Sequence, residues 1–268
     1  MRSFLFAPAN HPRRVEKALG LAADAVILDL EDAVPEAEKE AARKAAAEAA
    51  RLPRKTRLYI RINALSTPHG LVDLAALPRD IDGVVIPKCE STMDVGQAAA
   101  HARGLDLMPT IETARGLEAA EEIALASVRV RRLAFGALDF ALDLGLSPGR
   151  DEAEIAPYRA QLVMASRLAG REPPIDSPSP DFRDLDALKA SCERARRMGF
   201  QGKLCIHPDQ IAVVQATFAP TPGEIAEAER IVAAAEAAER LGHGAAQVDG
   251  KMIDAPVVLR AKRVLARR

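Results

Sequence analysis

Residues 25–32 read AVILDLED, an apolar run that changes abruptly to acidic residues. Two further runs follow the same pattern, since residues 105–112 read LDLMPTIE and residues 133–139 read LAFGALD. A parallel β-strand that is covered on both faces reads as a continuous apolar run of this kind. A carboxylate at the end of a buried strand costs stability unless it is paired, hydrogen-bonded or bound to a metal. The repetition therefore predicts a functional site where several parallel strands end.

Strand-like runs of this length alternate with helical segments along most of the chain. The predicted strands cover residues 3–8, 25–31, 57–62, 83–88, 106–112, 132–136, 173–176 and 203–207. The helices predicted between them cover residues 36–51, 92–103, 114–126, 152–170, 182–198 and 208–217. Alternation of strands and helices indicates a parallel sheet with right-handed crossovers. Eight such units predict a (β/α)8 TIM barrel, an α/β fold whose typical length is about 250 residues.

An open doubly wound sheet is the alternative architecture. It would carry a glycine fingerprint after its first strand, whereas residues 9–14 read ANHPRR. Near residue 218 the pattern is broken by TFAPTPGE, and we predict a helix over about 223–241, a loop over LGHGAAQVDG and a final helix over residues 252–268. We therefore expect a barrel over residues 1–218 and a C-terminal helical extension over residues 219–268.

The composition restricts the class of protein. The chain has 268 residues, 49% of them hydrophobic, and a formal net charge of −1 without a basic stripe, so a nucleic acid is not an expected partner. Its three cysteines lie far apart, which argues against a disulfide framework and a zinc knuckle. Neither a signal peptide nor an apolar run of roughly 20 residues is evident, so we expect a cytoplasmic protein without a membrane partner.

A barrel places its working residues at the carboxyl ends of its strands. The polar residues predicted there are Asn10, His11, Asp29, Glu31, Asp32, Arg61, Asn63, Lys88, Glu112, Asp139, Asp176 and His207. Carboxylates without His or Cys companions suit a hard cation such as Mg²⁺. Glu112 and Asp139 are the preferred pair of ligands because each closes an apolar run, although capping of helices or structural ion pairs would also account for them.

Arg61 follows an apolar strand and could grip a substrate carboxylate with its two-pronged guanidinium. The alternative is a structural ion pair with Asp29 or Glu31, and Lys88 has the same two interpretations. The chain contains neither a G-x-S-x-G elbow nor a phosphate-binding G-x-x-x-x-G-K-[ST] motif, so a serine hydrolase and a P-loop enzyme are not indicated.

Eight blocks of the sequence occur in an order that is typical of a known family. They read SFLFAPANHPRRVEKAL, DAVILDLEDAVPEAEKEAAR, YIRINALSTPHG, VVIPKCES, MPTIETARGL, LAFGALDFALDLG, GKLCIHPDQI and DGKMIDAPVV. Over nearly its whole length the chain thereby resembles the citrate lyase β-subunit-like branch of the HpcH/HpaI aldolase superfamily, which includes the malyl-CoA lyases. The resemblance implies a (β/α)8 barrel, assembled as a homotrimer or hexamer, that uses Mg²⁺, or Mn²⁺ in its place, for Claisen-type cleavage or condensation.

The resemblance also assigns roles to individual residues. Glu112 and Asp139 match the metal ligands, and Arg61 matches the arginine that binds the substrate carboxylate. Phe6 and Lys17 match positions that contact coenzyme A, and Leu138 is expected to contact the substrate beside Asp139. Asp254, in GKMIDAP, matches a catalytic aspartate that a neighbouring subunit's tail supplies. By contrast, Asp29, Glu31 and Asp32 are expected to support the site by ordering metal waters or pairing with Arg61.

The activity expected from this resemblance is carbon–carbon cleavage of a short 3-hydroxy acyl thioester, such as malyl-CoA, citramalyl-CoA or citryl-CoA, to a small ketoacid and a second thioester. CoA-using relatives usually carry an arginine where this chain has His11, which leaves an acyl-carrier protein open as the carrier. Two alternatives are the β component of a multi-subunit citrate lyase that acts on citryl carried by such a protein, and a barrel that binds a ligand without catalysis.

Overall fold

The computed structural model describes residues 1–240 and 246–268. Eight parallel strands pair in sequence order, and the first strand also pairs with the eighth, which closes a barrel. The strands are β1 (Ser3–Pro8), β2 (Ala25–Asp29), β3 (Arg57–Arg61), β4 (Gly83–Ile86), β5 (Asp106–Ile111), β6 (Ala134–Phe135), β7 (Ile175–Asp176) and β8 (Gly202–Cys205). The predicted (β/α)8 fold is confirmed, and the alternative of an open doubly wound sheet is excluded.

Helices connect the strands around the outside of this barrel. They are α1 (Pro12–Leu19), α2 (Lys39–Ala49), α3 (Pro68–Ala75), α4 (Thr92–His101), α5 (Ala114–Glu118), α6 (Ala120–Leu125), α7 (Ala137–Leu144), α8 (Ala156–Leu168), α9 (Leu185–Met198) and α10 (Gln210–Phe218). The single helix predicted over 114–126 is divided at Ala119. The helix predicted from residue 152 begins at Ala156, after a short 3-10 turn over Ala153–Ile155.

Apolar side chains from all eight strands fill the barrel interior, and where one strand contributes two of them they lie two residues apart. This set consists of Phe4, Ala25, Ile27, Tyr59, Val85, Met108, Ala134, Ile175 and Leu204. Side chains two residues apart on a strand point to the same face. Phe6, Asp29 and Arg61 each lie two residues after a member of this set, and Glu112 lies four residues after Met108. Their side chains therefore point inward, at the carboxyl end of the barrel.

The chain divides into two compact units, Met1–Gln215 and Ala216–Arg268. The second unit contains α11 (Pro222–Arg240), β9 (Ala246–Val248), β10 (Lys251–Ile253) and α12 (Ala255–Leu265). The prediction of a loop up to residue 250 was wrong over its second half, because β9 and β10 form an antiparallel hairpin. For the same reason the final helix, predicted from residue 252, begins only at Ala255. Asp249 and Gly250 both have positive φ, 50° and 78°, as a two-residue Asp-Gly hairpin turn requires. The first half of that loop, residues 241–245, lies outside the described residues.

The helices of the described chain, residues 1–240 and 246–268, include none with the length and apolar character needed to span a membrane.

A buried ionic network lies beneath the barrel mouth, between β7, β8 and the helices outside them. Arg159 Nε donates to Asp176 Oδ1 over 2.9 Å, and Lys203 Nζ donates to Asp176 Oδ2 over 2.6 Å. Glu152 Oε1 accepts from Arg159 Nη2 over 3.0 Å, and Glu152 Oε2 accepts from Arg194 Nη2 over 2.8 Å. Burial alone would raise the pKa of Glu152, but the two arginines outweigh it and lower the pKa to about 2.

Replacing Glu152 with glutamine should lower the free energy of unfolding by roughly 1–3 kcal/mol at neutral pH. The folded-state pKa of Glu152, about 2, lies below its ordinary value of 4.5, so the carboxylate stabilises the fold fully above that ordinary value. The contribution is lost as the pH falls through about 2. Urea unfolding of both proteins between pH 7 and the lowest pH at which they fold should show the difference shrinking, and a constant difference would contradict this assignment.

Candidate active site at the barrel mouth

Arg61 and Asp29 are paired neighbours at the ends of β2 and β3. The guanidinium donates from Nε to Asp29 Oδ1 and from Nη2 to Asp29 Oδ2, each over 2.7 Å. Nη1 lies 3.0 Å from Glu31 Oε2 and 3.5 Å from Asp32 Oδ2. Burial would raise the pKa of Asp29, yet the Arg61 contacts lower it. The structure thus pairs the predicted supporting acids with Arg61, and the two-pronged side of this arginine is occupied by Asp29.

Phe6 forms an aromatic wall against the same arginine. The guanidinium carbon of Arg61 lies 4.7 Å from the centre of the Phe6 ring, within the range of a cation–π contact. Arg61 is thereby held between a carboxylate and a ring.

Glu112 directly follows β5 and is almost fully buried. Gly136 makes room for it, because a Cβ at residue 136 would lie 2.4 Å from Glu112 Cγ. Burial is the largest cause that raises the pKa of Glu112, to about 8, and the charges of Glu31 and Asp139 add to it against Lys88. Burial and the neighbouring carboxylates thus disfavour the charged form of Glu112, and a cation bound beside it would favour that form.

Asp139 is the third residue of α7 and is partly exposed. The apolar run that Asp139 closes is not a strand throughout, because β6 ends at Phe135 and Gly136 leads into the helix. Asp139 nevertheless reaches the mouth, where it lines a cavity of about 60 Å³ together with Glu112 and the exposed Leu138. Phe6 and Arg61 line the same cavity. Five of the predicted site residues are thus brought together.

Ser177 was absent from the predicted site residues, and Lys88 was predicted at a strand end with two interpretations. Ser177, which follows β7, is buried and accepts a hydrogen bond from the main-chain N–H of Ala137 over 3.0 Å, which fixes the start of α7. Lys88, left open above, donates from Nζ to Glu31 Oε1 over 2.6 Å and from its main-chain N–H to Glu112 Oε2 over 3.3 Å. Both residues follow a strand in the sequence, which indicates that they lie near the mouth. This position does not distinguish structural from functional side chains.

The donor set at the mouth fits a hard cation. Glu112 and Asp139 face one cavity. Over the described ranges 1–240 and 246–268, no three Asp, Glu, His or Cys side chains form a cage. Two carboxylates are enough for Mg²⁺, which keeps waters and substrate oxygens in its remaining positions.

The remaining predicted site residues lie elsewhere. Lys17 is exposed on α1, His11 is exposed just before that helix, and neither lines the mouth cavity. Asp254 belongs to the second unit, where it precedes α12 and its Oδ1 accepts from the N–H of Val257 over 3.2 Å. This N-cap contact satisfies one free N–H at the start of the helix.

The fold and the site define a (β/α)8 barrel with an acidic mouth at the carboxyl ends of its strands. The chain belongs to the HpcH/HpaI aldolase/citrate lyase family, whose sequence profile matches residues 2–208. This confirms the family predicted from the eight sequence blocks.

Individual relatives match over nearly the whole chain. A (3S)-malyl-CoA thioesterase of Cereibacter sphaeroides is 39% identical over 270 residues, which cover 99% of this chain and 94% of the relative. The citrate lyase subunit beta of Haemophilus influenzae is 33% identical over 280 residues, with 99% and 96% covered. The crystal structure of CitE from Mycobacterium tuberculosis, in complex with magnesium, acetoacetate and coenzyme A, matches with a TM-score of 0.85 and 36% identity, covering 99% of this chain and 97% of that one.

Proposed function

We propose that this protein is a Mg²⁺-dependent carbon–carbon lyase that acts on a short 3-hydroxy dicarboxylic or tricarboxylic acyl thioester, such as malyl-CoA, citramalyl-CoA or citryl-CoA. The observation that carries the proposal is the single cavity shared by Glu112, Asp139 and Arg61. The likeness to a CitE structure that contains magnesium, a ketoacid and coenzyme A supports it.

Each residue of the mouth has a chemical role in this proposal. Glu112 and Asp139 hold Mg²⁺ (or Mn²⁺), and the bound cation supplies positive charge where the ketoacid carbonyl develops. Arg61 binds the substrate carboxylate through Nη1, which exchanges its contacts with Glu31 and Asp32 for the substrate, and Phe6 and Leu138 form apolar walls. In cleavage the bond between the hydroxyl-bearing carbon and the thioester α-carbon breaks. Its electron pair stays on the α-carbon as an enolate, the hydroxyl proton passes to water, and the hydroxyl carbon becomes the carbonyl of the ketoacid.

The enolate must gain a proton to become the product thioester, and Asp254 is the proposed proton carrier. A carboxyl group at hydrogen-bond distance from the reacting carbon can perform such a transfer. We propose that a neighbouring subunit of a homotrimer or hexamer supplies it. The exposed position of Asp254 at the start of α12 leaves its carboxylate accessible.

The acyl carrier is the second element of the substrate. Lys17 is exposed on α1 and Phe6 is partly exposed on β1, so both can meet coenzyme A or the phosphopantetheine arm of a carrier protein. His11, Arg13 and Arg14 are also exposed and offer cations to a phosphate. The thiols of Cys89, Cys192 and Cys205 are free and buried, which suits a reducing compartment such as the cytoplasm.

Hydrolysis of the thioester is a second candidate function. It is favoured by the 39% identity with a (3S)-malyl-CoA thioesterase. In that reaction water would attack the thioester carbonyl and the coenzyme A thiolate would leave, with no change to the carbon skeleton. The 33% identity with a citrate lyase subunit beta keeps the carrier-protein version of the lyase as another candidate.

Product analysis separates these functions. We expect the purified protein with Mg²⁺ to convert (3S)-malyl-CoA, or citramalyl-CoA or citryl-CoA in parallel assays, to a ketoacid and a shorter acyl-CoA in equal amounts. A thioesterase would release free coenzyme A and the intact hydroxy acid without any ketoacid. Omission of Mg²⁺ and the Glu112→Gln, Asp139→Asn variant are the matched controls. Absence of both product sets with all three thioesters, and with their carrier-protein forms, would leave only a binding function.

A further inference from the structure

Lys88 contacts two buried acids at the mouth from a single position. Its Nζ lies 2.6 Å from Oε1 of Glu31 and 3.9 Å from Oε2 of Glu112. Its main-chain N–H donates to the same Oε2 of Glu112 over 3.3 Å. The side chains of Glu31 and Glu112 are only 7% and 4% exposed. Arg61 also reaches Glu31, with Nη1 3.0 Å from Oε2.

The backbone of Lys88 is unusual for a residue with a side chain. Its φ is 46°, in the left-handed region, which is sterically unfavourable for a residue other than glycine. Such conformations persist where the surrounding structure enforces them, and they cluster at functional sites. In this conformation the residue presents both its ammonium and its main-chain N–H to the acids of the mouth.

We propose that Lys88 is a positioning residue of the metal site, which orients the carboxylate of Glu112 and fixes Glu31 beside it. The inference rests on the proposed function, because it takes Glu112 and Asp139 as the ligands of the cation. Groups that hydrogen-bond to metal ligands tune affinity although they do not touch the metal. Lys88 acts in this way and needs no contact with the substrate.

The direction in which removal of the Lys88 ammonium changes the affinity for Mg²⁺ distinguishes a positioning role from a purely electrostatic one. An ammonium 3.9 Å from a ligand oxygen repels a divalent cation. If charge alone mattered, its removal would strengthen Mg²⁺ binding. If Lys88 positions the ligands, its removal weakens Mg²⁺ binding despite the relief of repulsion.

The test is calorimetric titration of Mg²⁺ into the full-length protein without substrate. Lys88→Met should raise the dissociation constant by about 10-fold or more, and Lys88→Arg should restore most of the affinity because it keeps the charge and the donors. The matched control is Lys189→Met, which removes the same charge from a side chain on α9 that is 63% exposed. This control should bind Mg²⁺ as the unmodified protein does.

Unchanged or tighter Mg²⁺ binding by Lys88→Met would overturn the inference. If that variant does not fold, as judged by urea unfolding, Lys88→Gln provides the same comparison with a neutral side chain that can still donate to Glu31. Failure of the proposed function has a different signature, namely equal Mg²⁺ binding by the unmodified protein and by the Glu112→Gln, Asp139→Asn variant.

Discussion

A chain that carries Glu112→Gln and Asp139→Asn should bind no Mg²⁺ in a calorimetric titration and should lose roughly 10³-fold or more in kcat. The two substitutions remove both negative charges that face the mouth cavity, while the amides keep nearly the same shape. Glutamine is also compatible with the buried position of residue 112, whose pKa of about 8 already reflects the cost of a charge there. The fold should therefore survive.

The matched control carries the same two chemical changes away from the mouth. Glu121 is exposed on α6, and Asp80 is exposed before the amino end of β4. Glu121→Gln with Asp80→Asn should bind Mg²⁺ and turn over substrate as the unmodified protein does. Undiminished Mg²⁺ binding by the Glu112, Asp139 variant would show that the cation lies elsewhere, and the proposed metal site would have to be abandoned.

Asp254→Asn should lower kcat by roughly 10²- to 10⁴-fold while Mg²⁺ binding and oligomer size stay unchanged. Asparagine cannot carry the proton, but its side-chain oxygen can still accept from the N–H of Val257 and cap α12. The variant therefore separates proton transfer from helix capping. Asp184→Asn is the control, because Asp184 caps α9 through the same kind of bond, to Ala187 N over 2.9 Å, and its replacement should leave kcat unchanged.

Mixed oligomers test whether the proton carrier comes from a neighbouring subunit. Neither Asp254→Asn chains nor Glu112→Gln, Asp139→Asn chains should be active alone. Co-expression of both should restore part of the activity, because an intact mouth on one chain can then meet an intact Asp254 from another. Full kcat in the Asp254→Asn protein would remove this residue from the mechanism, and inactive mixtures of verified mixed composition would argue that it acts within its own chain.

The barrel could be predicted from the sequence because its strands are buried on both faces and therefore appear as continuous apolar runs. The prediction for the first strand, residues 3–8, matches the observed strand at both ends. Alternation then accounts for the inward direction of Phe6, Asp29 and Arg61, since each lies two residues beyond a residue of the interior. The pairing of Arg61 with Asp29 was one of two interpretations, because the register between strands is set by packing that no single strand reveals.

Other features of the site depend on backbone geometry that the sequence pattern predicts poorly. A left-handed lysine has no sequence signal, because asparagine, aspartate and glycine are the residues usually found in that region. Asp139 looked like a strand end, since the apolar residues of the start of α7 continue those of β6. The β9–β10 hairpin did have a signal, the pair Asp249-Gly250, which was overlooked within a polar stretch.

Because β1 closes the barrel by pairing with β8, the barrel cannot close until most of the chain has been synthesised. One edge of β1 pairs with β2, but its other edge pairs with β8, at residues 203–205. At roughly 5–20 residues per second, a ribosome needs on the order of 10–40 s to make the intervening chain. Throughout that time the amino-terminal strand keeps an open edge, of the kind that invites pairing with other chains. We therefore expect the newly made chain to be most prone to pairing with other chains before its eighth strand emerges.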